Sequence, residues 1–164
     1  MASEEKRNTG SVPPKTRSKK PTEAGRLDDQ LCFALYAATN AITRVYRPLL
    51  KEIGLTYSQY LALLVLWESG MVRTGEIAER LQLPTHALSP IIDRLEEAGL
   101  VERLPDPDDG RAVVVSLTAD GRTLESAAAE VQEAVRCGTQ LDAKEVNELR
   151  AELHRLVDLM ADGS

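Results

Sequence analysis

Cys32 is one of two thiols in the 164-residue chain, and its setting suits nucleophilic sulfur chemistry. The apolar spacing from Leu27 onward predicts a helix that Asp28 or Asp29 would cap, with Cys32 about one turn inside it. At that position a thiol meets the positive end of the helix dipole and amide donors that have no partner, which favours the thiolate. Tyr36 follows at i+4 and can lie beside it on the same face. The second thiol, Cys137, is far away in sequence. The chemistry expected is reversible oxidation at sulfur.

A free cysteine often packs as a small core hydrophobe. The helical pattern argues otherwise for Cys32. Leu31, Leu35, Ala38, Ile42, Val45 and Leu49 form one apolar stripe, and at about 100° per residue Cys32 falls about 100° from its centre. It flanks the buried face and does not fill it. Cys137 lies about 120° from a stripe centred on Val131, which leaves it accessible as well. Two cysteines without CxxC or metal-ligand spacing cannot build a disulfide framework or a zinc site. Nothing in the sequence calls for a metal or a cofactor.

The elements that must carry these residues are mainly helical. The hydrophobic content of 43 % includes one Phe and one Trp, so Leu, Val, Ile and Ala supply the core of a single domain. No apolar run approaches the roughly 18 residues of a membrane span, and the start of the chain is polar, so a cytoplasmic protein with no membrane partner is expected. Residues 1–26 carry a net charge of +4 and the remainder −10. The leading segment, with Pro13, Pro14 and Pro21, reads as a disordered basic arm. An acidic remainder tells against nucleic-acid binding through bulk charge, so any DNA contact must come from a local set of residues.

From 27 to about 53 the first helix runs to a stop at Gly54, with Pro48 as a kink or early end. Ser58 is the expected cap of a second helix ending near Gly70. Thr74 opens a short helix that Leu83 and Pro84 close. The next begins near Thr85, despite Pro90, and ends at Ala98 and Gly99. Two short helices joined by a few residues form a helix-turn-helix. The period then changes to strands over Leu100–Leu104 and Arg111–Leu117, joined by Pro105–Gly110 in strong turn chemistry. That hairpin is a wing. Thr118 caps a long helix to Gly138, and a last helix covers about Asp142 to Met160. The fold expected is mainly α with a small β-hairpin wing: a winged helix-turn-helix at about 58–118, and helices at about 27–53 and 119–161 whose apolar faces pair with a second copy.

The element order from Leu27 onward, the segment Thr74–Arg103, and Asp106-Pro107-Asp108-Asp109-Gly110-Arg111 followed by Val115-Ser116-Leu117-Thr118 and Gly121 resemble the MarR family of dimeric bacterial transcription regulators. The segment Leu31-Cys32-Phe33-Ala34-Leu35-Tyr36, with Tyr46, Tyr57 and Cys137, resembles its OhrR-type branch of organic-hydroperoxide sensors, in the two-cysteine subtype. The resemblance does not extend to the basic arm. It implies a homodimeric repressor, not an enzyme, that leaves a near-palindromic double-stranded operator when an organic hydroperoxide oxidises Cys32. The sulfenic acid then condenses with Cys137, the resolving residue, in a disulfide between subunits.

The resemblance also implies that Tyr46 and Tyr57 of the other subunit hold the thiolate, with Tyr36 nearby in the same subunit. On one continuous helix the 14 residues from Cys32 to Tyr46 span ~21 Å, so a Tyr46 contact has to come from the partner. Phenolic donors favour thiolate over thiol. In a dimer two recognition helices enter successive major grooves. Thr85, His86 and Ser89 stand at the reading end, with Arg94 placed for phosphate. Arg111 belongs at the wing, in the minor groove or paired with Asp109, which supports it. Asp106, Asp108 and Asp109 together make an acidic wing tip, a departure from a simple basic wing. A MarR-type repressor released by a small phenolic ligand would need neither cysteine. A thiol peroxidase would need an active-site motif that is absent.

Overall fold

The computed structural model describes residues 25–161. Most of the basic arm, residues 1–24, therefore lies outside the described residues. The described residues fall into two units, divided between Ala37 and Ala38.

In the first unit a 3-10 turn at Leu27–Asp29 precedes the start of α1, Leu31–Glu52. This shifts the expected cap. Asp28 and Asp29 are spent in the tight turn, where Asp29 N–H donates to the Arg26 carbonyl at 3.1 Å. The Gln30 carbonyl instead accepts from the Phe33 and Ala34 amides, both at 3.1 Å. Cys32 is thus the second residue of α1, not one turn inside it.

In the second unit α1 continues past Pro48, which neither ends it nor prevents Leu50 from reaching the core at 0 % exposure. The burial of Leu50, with Leu49 packed beside it, outweighs the hydrogen bond that an interior proline removes. Helix α2, Tyr57–Ser69, starts earlier than Ser58 would allow. Thr56 and Gln59 form a reciprocal capping box, with Thr56 N–H donating to Gln59 Oε1 at 2.8 Å and Gln59 N–H to Thr56 Oγ1 at 3.4 Å. The box satisfies two amides where a lone serine would satisfy one.

Strand β1, Val72–Arg73, leads into α3, Thr74–Arg80, and then α4, Thr85–Glu97, which begins where the sequence places it and accommodates Pro90. Gly99, at φ 72°, reverses the chain into β2, Val101–Pro105, and β3, Val113–Leu117. The sheet order is β1-β3-β2, all antiparallel, with Val101 opposite Leu117 and Val72 opposite Val115. The two-residue β1 has no alternation to read, so the hairpin alone was legible in the sequence. Leu63, Leu66, Ile77, Leu88, Ile92 and Leu95 pack the core beneath the helix-turn-helix.

Helices α5, Ala119–Gly138, and α6, Ala143–Ala161, complete the chain. Thr118 caps α5 by accepting from the Gly121 amide at 3.1 Å. Helix α6 buries none of its residues, and Leu149 is 52 % exposed. Among the described residues no single helix is long and apolar enough to cross a membrane.

Candidate functional site

Both thiols are free and exposed; on α1 the stripe residues Leu31, Ile42 and Val45 are exposed as well. Cys32 sits in the first turn of a 22-residue helix, where the backbone N–H groups have no partner within the helix. That field favours an anion. Tyr36, four residues on, is exposed.

In the second unit, Tyr46 of α1 and Tyr57 of α2 converge, their ring centroids 5.2 Å apart and inclined at 51°. Tyr60, which the sequence pattern did not single out, completes the cluster at 5.5 Å from Tyr46 and 6.4 Å from Tyr57. Its spacing of three from Tyr57 places both rings on one face of α2. Burial raises the Tyr57 and Tyr60 phenols above their ordinary value, and the neighbouring Tyr46 adds to both shifts. Tyr57 therefore keeps its proton throughout the neutral range and is a hydrogen-bond donor there.

Cys137 lies in the last turn of α5. Its thiol donates to Glu133 Oε1 at 3.5 Å, and Arg136 Nη2 approaches the sulfur at 4.0 Å. Arg136 Nε also holds Glu133 at 2.7 Å. The guanidinium, with the thiol as a second donor, lowers Glu133 to about 2, so its carboxylate stays charged.

The DNA-reading candidates lie on α4 and the wing. Thr85, His86 and Arg94 are exposed and Ser89 is half-buried, its Oγ donating to the Thr85 carbonyl at 3.4 Å. Thr85 and His86 stand at the solvent-facing start of α4, with Ser89 one turn on. Arg103 of β2 ties α4 to the wing, pairing with Glu96 and, at 2.6 Å, with Asp93. These contacts link α4 to β2.

The acidic tip expected at the wing is smaller than three residues. Asp106 is only 6 % exposed and belongs to the base of the hairpin. It pairs with Arg73 of β1 and accepts the Asp108 amide at 2.8 Å and the Asp109 amide at 3.4 Å. A carboxylate with three donors is held below its ordinary value, chiefly by the Asp108 amide and then by Arg73. Asp108 and Asp109 remain at the tip, exposed. Asp109 Oδ1 accepts from the backbone N–H of Arg111 at 3.1 Å. The Arg111 side chain is exposed and forms no ion pair with Asp109. Reading Asp106 as a surface acid missed this pair because its partner lies 33 residues away; the Asp-x-Asp-Asp turn was the one local signal for a carboxylate that folds back on its own loop.

Comparison with known proteins agrees with this architecture. The sequence model of the MarR family matches residues 55–113, from the start of α2 into β3. The organic hydroperoxide resistance transcriptional regulator of Bacillus subtilis is 35 % identical over 135 residues, covering 82 % of this chain and 92 % of that protein. Two structures of AbfR, a Staphylococcus epidermidis protein, are 32 % identical. Reduced AbfR bound to DNA aligns with a TM-score of 0.67 over 82 % of this chain and 93 % of that one. Disulfide-formed AbfR aligns at 0.59 over 83 % and 90 %. Winged hairpin, helix-turn-helix and 35 % identity to a known regulator over 82 % of the chain converge: the chain belongs to the MarR family and is a DNA-binding transcriptional regulator, not an enzyme.

Proposed function

We propose that this regulator is a cytoplasmic homodimeric repressor whose hold on DNA is switched by organic hydroperoxide at Cys32. The observation that carries the reading is the placement of an exposed cysteine in the first turn of α1. The family branch supports it: the Bacillus subtilis relative is an organic hydroperoxide resistance regulator. A disulfide-formed state of AbfR supports the second step.

The Cys32 thiolate attacks the terminal oxygen of the peroxide. The S–O bond forms as the O–O bond breaks, and the alkoxide leaves as an alcohol after taking up a proton. The product is a sulfenic acid. Tyr46 and Tyr57 of the opposite subunit donate to the thiolate, and Tyr36 flanks it. The Cys137 thiol of one subunit then attacks the sulfenic sulfur of the other, forming a disulfide and releasing water. Because bonded cysteines need Cα atoms within about 7 Å, closing that bridge moves helices and changes the spacing of the two reading heads. In the reduced dimer Thr85, His86 and Ser89 read bases, Arg94 holds phosphate and Arg111 works at the wing, its backbone supported by Asp109. The operator is near-palindromic, as a two-fold dimer requires. The exposed apolar residues of α1 and α6 supply the dimer contact.

The test is fluorescence anisotropy on DNA from upstream of the protein's own gene, titrated with an alkyl hydroperoxide and then dithiothreitol. Release by peroxide and rebinding on reduction are expected, and Cys32→Ser should bind but not respond. Equal release of that variant would sink the thiol switch and leave a regulator triggered by a small ligand.

A further inference from the structure

Tyr60 belongs to the tyrosine cluster, yet the sensing chemistry gives it no part. It is only 2 % exposed, whereas Tyr46 and Tyr57 are half-buried. Its phenol sits deeper than theirs and cannot itself meet a sulfur presented by another chain. The ring stands 5.5 Å from Tyr46, inclined at 34°, and 6.5 Å from Trp67, inclined at 58°. Trp67 is pinned in turn by its indole N–H, which donates to the Gly121 carbonyl of α5 at 2.9 Å. Tyr60 is thus backed by Trp67 and, through it, by α5, and it faces Tyr46 of α1.

A phenol carries one hydrogen and can both donate and accept. A hydroxyl on so deeply buried a residue needs a partner, and among the described residues no buried side-chain nitrogen or oxygen lacks one. The Tyr60 hydroxyl bonds to that of Tyr46. Burial raises the Tyr60 phenol most, and the bond to Tyr46 adds to the rise, so the proton stays on Tyr60 and Tyr60 is the donor of the pair. Tyr46 is then the acceptor, and its own hydrogen is left to point elsewhere. Hydrogen bonds in a chain polarise one another, so a phenol that accepts one donates the next more strongly.

We propose that Tyr60 is a positioning residue of the peroxide sensor: by donating to Tyr46 it commits the one Tyr46 hydrogen to the sulfur of the partner's Cys32. The inference rests on the peroxide-sensing reading above and extends it by one residue. Tyr60 touches neither sulfur nor peroxide. The reaction is unchanged: the S–O bond forms as the O–O bond breaks, and an alcohol leaves. Tyr60 acts on the alignment of the Tyr46 donor before the oxidant arrives, and a donor aligned in advance needs no reorganisation at the moment of reaction. Besides Tyr46, the titratable groups around Tyr60 are Tyr57 and, lining the cleft beside Trp67, Glu68 and Glu125.

The experiment is a double-mutant cycle on the full-length reduced protein, following sulfenic acid formation at Cys32 by cumene hydroperoxide in a Cys137→Ser background. Tyr46→Phe should slow oxidation about tenfold, the scale of a hydrogen bond to a charged group, and Tyr60→Phe about threefold, the scale of a neutral one. The two should not add. In Tyr46→Phe, which has no hydroxyl to align, Tyr60→Phe should cost nothing further, while in Tyr57→Phe it should still cost about threefold. The rate profile against pH should move to higher pH in Tyr60→Phe and stay in place when Tyr60→Phe is added to Tyr46→Phe. Each reduced variant should hold DNA as tightly as the parent, which verifies its fold. An unaltered rate in Tyr60→Phe, or a threefold loss that persists without the Tyr46 hydroxyl, would overturn the proposal and leave the thiol switch intact. So would weaker DNA binding by Tyr60→Phe, which would assign the residue to packing. A Tyr46→Phe variant oxidised at the parent rate would remove Tyr46 from the sulfur and the proposal with it. Failure of the peroxide to oxidise Cys32 in the parent would overturn both readings.

Discussion

Tyr46 and Tyr57 lie with ring centroids 5.2 Å apart although they belong to different helices. Tyr46 leans equally on Tyr60, so three phenols are concentrated at one α1–α2 junction. If Tyr57 donates to the partner's thiolate, Tyr57→Phe keeps the packing and removes only the donor. A hydrogen bond to a charged group contributes about 1.5–3 kcal/mol, so peroxide oxidation of Cys32 should slow by about tenfold or more. Affinity of the reduced protein for DNA should not change. Stopped-flow oxidation alongside anisotropy decides it, and an unaltered oxidation rate would remove Tyr57 from the sensor.

The same cluster makes a prediction in alkali. Burial raises Tyr57 and Tyr60 above 10.0, their value in the unfolded chain. A raised folded value means the native state holds protons that the unfolded state releases. Stability is therefore fully present below pH 10 and falls as pH climbs through the folded values. Urea midpoints should be flat from about pH 7 to 9.5 and decline above 10. Tyr60→Phe, at a position only 2 % exposed, should lessen that decline, and an equal slope in both proteins would contradict burial of the Tyr60 phenol as its cause.

At the wing, Asp106→Ala removes a carboxylate that serves Arg73 and two backbone amides at once. The hairpin should lose its fixed base while α4, buried through Leu88, Ile92 and Leu95, stays folded. The expected outcome is several-fold weaker DNA binding and faster proteolysis between Pro105 and Val113, with helical circular dichroism preserved. The pH sign is the reverse of the tyrosine case. Asp106 is lowered from an ordinary 3.8, so its contribution is present above that pH and disappears as pH falls through the folded value. Parent and variant should therefore draw together in stability as the pH falls below 3.8.

How legible these features were depends on the range of the interaction that makes them. The α4 start at Thr85, the wing turn and the Thr118 cap are set within a few residues by proline, glycine and hydroxyl chemistry, and the sequence placed them. Cys32 and Tyr36 could be singled out in the sequence because a helix start is itself a local chemical environment. The Asp28–Asp29 cap failed because a 3-10 turn and an α-helix compete over one or two residues, a difference that composition does not encode. Strand β1 and the Arg73–Asp106 pair depend on a partner more than 30 residues away. Tyr60 was visible as a residue but not as a member of the cluster, since its meeting with Tyr46 requires the α1–α2 packing angle.

Gly121 shows both kinds of signal in one residue. The resemblance marked it, but the reason is a close approach: a Cβ there would lie 2.0 Å from the carbonyl oxygen of Leu100, where no flexible side chain can yield. The same residue donates its amide to Thr118 Oγ1 at 3.1 Å and accepts the Trp67 indole N–H at 2.9 Å, so α5 cannot move away without losing its cap and its tie to α2. Overpacking of a tight site typically costs about 1–3 kcal/mol, and a backbone obstacle places Gly121→Ala at the upper end, about 3 kcal/mol. The chain's single tryptophan reports the outcome: the variant should unfold at lower urea, with the Trp67 emission shifted toward that of the exposed indole in its native baseline. An alanine variant as stable as the parent would show that the start of α5 can slide, and a rigid joint between the sheet and α5 would have to be abandoned.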